Sequence, residues 1–167
     1  MRINEVIENI TYKVGKPTEF TPKELQKVSD LINSGGQLVI NVTPAYVKKA
    51  KIIAVAFVKG QVIGISAIKG TDRSYKDYVF DSAGAEKVAN QYSLEMGWKF
   101  VVPEFRGHQL GKTLSEKALA AIGANKIFVT IRASNQASLT PIRQLGFKPL
   151  GKPYIGPSGN KIILLVR

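Results

Sequence analysis

Arg106, His108 and Lys112 share one short stretch with Gly107 and Gly111, and Glu95 lies upstream of it. Cations and glycines in that order suit an anion. If the stretch opens a helix, its first backbone N–H groups, the positive end of the helix dipole and the charges of Arg106 and Lys112 converge on one point, which is how phosphate is bound. The same spacing fits an ordinary strand-to-helix turn in which the glycines serve only geometry. His108 is the sole histidine and there is no cysteine. Thiolate nucleophiles, disulfides and thiolate metal sites are thereby excluded, one histidine among scattered carboxylates builds no metal centre, and a solvent-facing role is expected for His108. No nucleophile-elbow spacing accompanies the serines.

The sequence around this stretch reads as the strand and helix that would position it. Trp98, Phe100 and Val102 alternate with Lys99 and Val101, the period of a half-buried strand, and Pro103 ends it. Leu110, Leu114, Ala118, Ala121 and Ile122 recur every three or four residues, which predicts a helix stopped by Gly123.

The segment Val102-Pro103-Glu104-Phe105-Arg106-Gly107-His108-Gln109-Leu110-Gly111 resembles the acetyl-CoA loop of the GCN5-related N-acetyltransferases (GNAT), whose pattern is Arg or Gln, two residues, Gly, any residue, then Gly or Ala. Arg106 and Gly111 match it, and Gln109 stands where the first late glycine is usual. A second signature, an Asn opening a short helix that ends in Leu-Gly-Phe, resembles Asn135 to Phe147, NQASLTPIRQLGF. Together the two cover roughly residues 50 to 167.

The resemblance implies an α/β fold with a mixed, mostly antiparallel central sheet covered by helices, and a splayed strand pair at the acetyl-CoA site. It places the coenzyme on the loop from Arg106 through Gly107, His108, Gln109, Leu110 and Gly111 to Lys112, with Asn135 downstream, and pairs the pantetheine arm with the main chain of Phe100, Val101 and Val102. It makes Glu95 the base that deprotonates an amine; Asp81 and Glu86 in the insertion are the other candidates the sequence offers. The tyrosine that usually protonates the departing sulfur is replaced by Ile142, so Ser138, Tyr154, Tyr92 or water must substitute. Acetyl-CoA is then a cosubstrate, and no metal is implied.

At 167 residues, 44% hydrophobic and 22% charged, the chain reads as one folded domain, residues 1–167. No apolar run reaches membrane-spanning length and no signal-peptide core opens the chain, so no membrane contact and a cytoplasmic location are expected. The formal charge of +12 asks for a polyanionic partner, although most lysines are scattered and only Lys48, Lys49 and Lys51 cluster. The acceptor implied is an amine on a protein, an acylated RNA or a small molecule. A small cation suits so basic a chain only if Asp72, Asp77 and Asp81 form a local acidic pocket. The alternative is a GNAT-like module that has lost turnover and binds nucleic acid through its basic surface. A homodimer is compatible with either.

Further elements follow from local signals. Residues 1 to 20 fit either helical spacing or a short strand over Ile10–Val14. Thr21-Pro22-Lys23-Glu24 is a capping box that predicts a helix ended by Gly35-Gly36. Gln37–Val42 reads as extended, and Thr43-Pro44 caps a short helix through Val47. Ile52–Val58 and Val62–Ile68 form a hairpin around Lys59-Gly60-Gln61. Residues 70 to 92 read as an irregular insertion with a short helix over Ala85–Tyr92, a surface loop or substrate lid. Ile127–Arg132 is a strand and Asn135 caps a helix that Pro141 kinks or starts. Lys148–Ile155 and Lys161–Val166 form a terminal hairpin.

Overall fold

The structure, a computed structural model, describes residues 9–35 and 41–167. The helical spacing of Ile3, Val6 and Ile7, the second glycine of Gly35-Gly36 and most of the extended segment 37–42 lie outside those residues. Eight strands are described: β1 Thr11–Gly15, β2 Ala50–Val58, β3 Gln61–Gly70, β4 Leu94–Val101, β5 Ile127–Arg132, β6 Lys148–Pro149, β7 Tyr154–Ile155 and β8 Lys161–Val166. The helices are α1 Pro22–Ser34, α2 Pro44–Val47, α3 Arg73–Ser82, α4 Leu110–Ile122 and α5 Gln136–Gln144. Hydrogen bonding orders the strands β1-β2-β3-β4-β5-β8-β6, with β7 also on β8. The sheet is mixed and mostly antiparallel, as the resemblance implies. Its parallel pair, β4 with β5, has the register Leu94↔Ile127 and Glu95↔Phe128.

The chain resolves into two compact units, Met1–Lys69 with Gly97–Gly123, and Gly70–Met96 with Ala124–Arg167. In the first, β1 pairs antiparallel with β2, and β2 with β3. The β2–β3 turn is Lys59-Gly60, both at positive φ (48° and 73°), as a type I′ turn requires. Thr21 closes a capping box with Glu24 and starts α1, and Thr43 caps α2. Ile53, Val55, Ile65 and Ala67 meet Leu25, Val28 and Val47 in one core, against which Trp98, Phe100 and Val102 pack. On the other side of β3, a Cβ at Gly64 would lie 2.9 Å from Leu114 of α4. Both faces of β3 are thus covered, which explains its continuous apolar run.

In the second unit, residues 70–92 are ordered rather than irregular. Asp72 caps α3, accepting from the N–H groups of Ser74 and Tyr75, and a 3-10 stretch follows over Glu86–Gln91. Only Val79 and Phe80 of α3 are buried, so its apolar periodicity is faint, and Phe80 packs edge-on to Phe128 at 5.3 Å. The terminal hairpin also departs from a continuous ladder. Its first arm is broken between β6 and β7, where Gly151 adopts φ 67° beside the Ala83 carbonyl and Lys152 N–H donates to that oxygen at 2.9 Å.

Candidate functional site

The loop before α4 is shaped by its backbone. A 3-10 turn over Pro103–Phe105 delivers Arg106, after which Gly107 (φ 80°) and Gln109 (φ 57°) both adopt left-handed conformations. A side chain at Gly107 would meet nothing within 4 Å, so the loop is open there. Gln109 occupies the N-cap position of α4 without a side-chain cap, whereas Thr21, Thr43, Asp72 and Asn135 cap the other described helices. The first-turn N–H groups of this thirteen-residue helix are therefore left without a side-chain cap of their own.

The cations are partly tethered. Arg106 is exposed, donates from Nε to the Val101 carbonyl at 2.9 Å and lies 5.5 Å from the Phe100 ring centroid, so its outer guanidinium nitrogens are not used in that bond. Lys112 is half-buried with its Nζ 3.8 Å from Glu116. His108 is exposed and Leu110 is buried at 4% exposure, so Leu110 can offer a ligand only its backbone. Just past β4, Val102 N–H already donates to the Ile63 carbonyl at 3.0 Å, so that group cannot pair with a pantetheine arm.

Strand β4 is distorted at Trp98, which holds φ 47° between Gly97 and Lys99. A left-handed backbone at a bulky residue costs roughly 1–3 kcal/mol and is retained only where the surroundings impose it. Tyr46 packs on the Trp98 ring at 5.7 Å and the Lys69 ammonium lies 5.6 Å above it, while a Cβ at Gly97 would collide with Lys69 Cε at 2.7 Å. Next to it Lys99 is half-buried, and burial pushes its ammonium down to about 8.

In the second unit Glu95 is 5% exposed. Its Oε1 accepts from the Tyr75 hydroxyl at 3.1 Å, and that hydroxyl is also 3.4 Å from Thr130 Oγ1. Burial first, then the Glu95 charge, raise Tyr75 well above the usual tyrosine range. Tyr154 on β7 packs edge-on to Tyr78 at 6.2 Å. Burial, with Tyr78 and Glu95 nearby, pushes Tyr154 up to about 12. Both phenols thus keep their protons at neutral pH. A cavity of about 450 Å³ adjoins α3, lined by Arg73, Asp77, Tyr78, Asp81, Glu86 and Asn90. Asp77, Asp81 and Glu86 line it together with Arg73, whose Nε is 3.5 Å from Asp77, so acidic groups outnumber basic ones there, while Asp72 is used as the α3 cap.

No protein-family profile matches the chain, and no curated protein matches it by sequence. Solved structures do. A GNAT-family acetyltransferase from Streptococcus pneumoniae superposes with a TM-score of 0.67 at 16% identity, over 95% of this chain and 98% of that one. yncA of Salmonella typhimurium, a putative acetyltransferase solved with its cofactor acetyl-CoA, gives 0.68 at 13% over 95% and 93%. Arabidopsis thaliana Naa50, in complex with the bisubstrate analogue CoA-Ac-MVNAL, gives 0.63 at 12% over 95% and 98%. The fold is that of the GCN5-related N-acetyltransferases.

Against the GNAT pattern, Gln109 keeps the left-handed backbone that a glycine would supply there. Ile142 is fully buried, so the usual tyrosine position is core here. Asn135 uses its side chain to cap α5, accepting from Ser138 N–H at 3.2 Å, and Ser138 sits half-buried in that first turn. Tyr92 packs on Phe80 at 5.4 Å. Tyr75 is the residue that sequence reading missed, because the segment carrying it read as irregular; the Asp72 cap was the available signal.

Proposed function

We propose that the protein is an acetyl-CoA-dependent N-acetyltransferase in which an amine attacks the thioester directly. The observation that carries this reading is the uncapped, glycine-opened start of α4 beside Arg106, within a GNAT fold. Phosphates fit it by chemistry: backbone N–H groups of Gly107 to Lys112, the helix dipole and the outer guanidinium nitrogens of Arg106 all favour anions. Acetyl-CoA bound there supplies the activated acetyl group, and β4 carries Glu95 upstream of the same loop.

An amine is an ammonium at neutral pH and cannot attack until it loses a proton. Glu95 is the base in this reading: it takes one proton, the nitrogen lone pair forms the C–N bond, the C–S bond breaks, and the second proton reaches the thiolate sulfur. Tyr154 keeps its proton across the working pH range, which suits the donor role, and Ser138 remains the alternative. The acidic lining of the α3 cavity favours a cationic acceptor. Naa50's bisubstrate analogue makes peptide amines the second class to assay.

The test is thermal unfolding with acetyl-CoA against free CoA and ATP, followed by acetylation assays on a diamine, a peptide with a free α-amine and an aminoacylated RNA. Ligand at a hundred times its Kd stabilises by about 2.7 kcal/mol, a rise of a few degrees in midpoint. A shift confined to the coenzymes supports the proposal. No shift at millimolar acetyl-CoA, with RNA binding that weakens steeply with salt, would replace the enzyme by a nucleic-acid-binding module.

A further inference from the structure

Three elements meet at one hydroxyl. Tyr75 stands in the first turn of α3, where its backbone N–H is held by the Asp72 carboxylate at 3.4 Å, so the root of the side chain is fixed by the helix cap. Its hydroxyl reaches Glu95 on β4 and Thr130 on β5. With the single phenolic proton donated to Glu95 Oε1, the Thr130 hydroxyl is left to donate to the Tyr75 oxygen, giving a directed chain from Thr130 to Tyr75 to Glu95. Tyr75 as a residue is 40% exposed, so it is not a core-filling residue. Its hydroxyl is placed on a carboxylate that is itself 5% exposed.

We infer that Tyr75 is a positioning residue that holds the Glu95 carboxylate in the rotamer in which it receives the acceptor's proton. The inference rests on the acetyl-transfer reading above. A buried carboxylate needs donors to remain ionised, and a donor rooted in a capped helix also removes rotational freedom from the carboxylate. The titratable groups facing Glu95 include Tyr75 from α3 and Tyr154 from β7. Both Tyr75 and Tyr154 are raised, so neither competes for the proton. Loss of the Tyr75 hydroxyl removes a donor from the charged form of the base, which moves the acid limb of the rate profile to higher pH.

The experiment has two readouts on the full chain. The first is the Glu95 carboxyl carbon in protein labelled with [13C]glutamate, assigned by its disappearance in Glu95→Gln; in Tyr75→Phe this resonance should move, and an unmoved resonance overturns the contact. The second is kcat/KM against pH with acetyl-CoA and the best acceptor of the three-amine panel. Tyr75→Phe should lower the neutral-pH rate about tenfold with the acid limb displaced by about one pH unit, and should cost nothing further in a Glu95→Gln background. Thr130→Val should displace the limb in the same direction by less. An equal loss in both backgrounds overturns the positioning role while leaving Glu95 as base. If Glu95→Gln acetylates like the wild type, or no amine is acetylated, the base reading falls and the positioning role with it. Unchanged unfolding midpoints for Tyr75→Phe and Thr130→Val show that the comparison is made between folded proteins.

Discussion

Ser66 on β3 and Ser115 on α4 are both fully buried with their hydroxyl oxygens 3.2 Å apart, and Ser115 Oγ donates onward to the Gly111 carbonyl at 2.8 Å. A polar strut therefore links the sheet to the first turn of the helix whose N–H groups are proposed to hold phosphate. Ser115→Ala leaves the Ser66 hydroxyl buried without this partner and should destabilise the fold by about 1–3 kcal/mol, whereas Ser66→Ala with Ser115→Ala should recover part of the loss. Urea unfolding of the two single variants and the double variant gives the coupling directly.

Gln109 sustains a glycine's backbone angle. Gln109→Gly should raise stability by about 1 kcal/mol, less the extra entropy of the unfolded chain, and leave acetyl-CoA affinity unchanged because no side-chain contact is lost. A drop in coenzyme affinity would show that the Gln109 amide itself contacts the ligand.

Arg106→Ala removes an exposed cation whose ties among the described residues are to the Val101 carbonyl and the Phe100 ring. The unfolding midpoint should stay near wild type while acetyl-CoA affinity falls roughly ten- to a hundredfold, the loss of a charge-assisted contact. Calorimetry with acetyl-CoA distinguishes this from a variant that unfolds.

Lys99 gives the fold its own pH dependence. Its ammonium is pushed down to about 8 by burial, against an ordinary value of 10.5, so between those values the unfolded chain binds more protons than the folded one. Stability should therefore rise as pH increases from about 8 towards 10 and should be lowest below 8. Lys99→Met should flatten that slope; a wild type whose midpoint falls over this range would contradict the assignment.

Gly151→Ala tests the broken hairpin. An added Cβ would sit 2.1 Å from the Ala83 carbonyl oxygen at a residue with φ 67°, a clash with backbone that no rotamer relieves. A loss of more than about 3 kcal/mol is expected by chemical denaturation, and a neutral effect would mean the two segments separate easily.

Where a local signal was strong, the elements could be read from the chain alone. The Thr21 to Glu24 capping box, the Lys59-Gly60 turn, the buried Leu110, Leu114 and Ala118 of α4 and the Asn135 cap each appear where local chemistry places them. Ala121, by contrast, is exposed and Ile122 half-buried, because Ser115 and Leu119 complete the buried face instead. The loop before α4 was legible for the same reason, since glycines, cations and a helix start are neighbours in sequence. What escaped notice depends on contacts between distant residues. Helix α3 buries too few side chains to show a clear period, so Tyr75 could not be connected to Glu95 twenty positions away. The interruption at Gly151 is dictated by Ala83, and the left-handed Trp98 by Tyr46 and Lys69, neither of which is adjacent. Ile142 could be seen to lack a proton, but not that it lies in the core.

Trp98 is the only tryptophan in the chain, and it occupies the distorted position of β4 with a tyrosine ring on it and an ammonium nearby. Excited at the red edge, where the six tyrosines stay dark, its indole is an intrinsic optical probe of that one bend. A cation so close to an indole shifts and quenches its emission, so any relaxation of the strand would change colour and brightness together. Ligand titrations and stopped-flow mixing can then follow β4 in the unlabelled wild-type protein, on timescales that equilibrium melting does not reach.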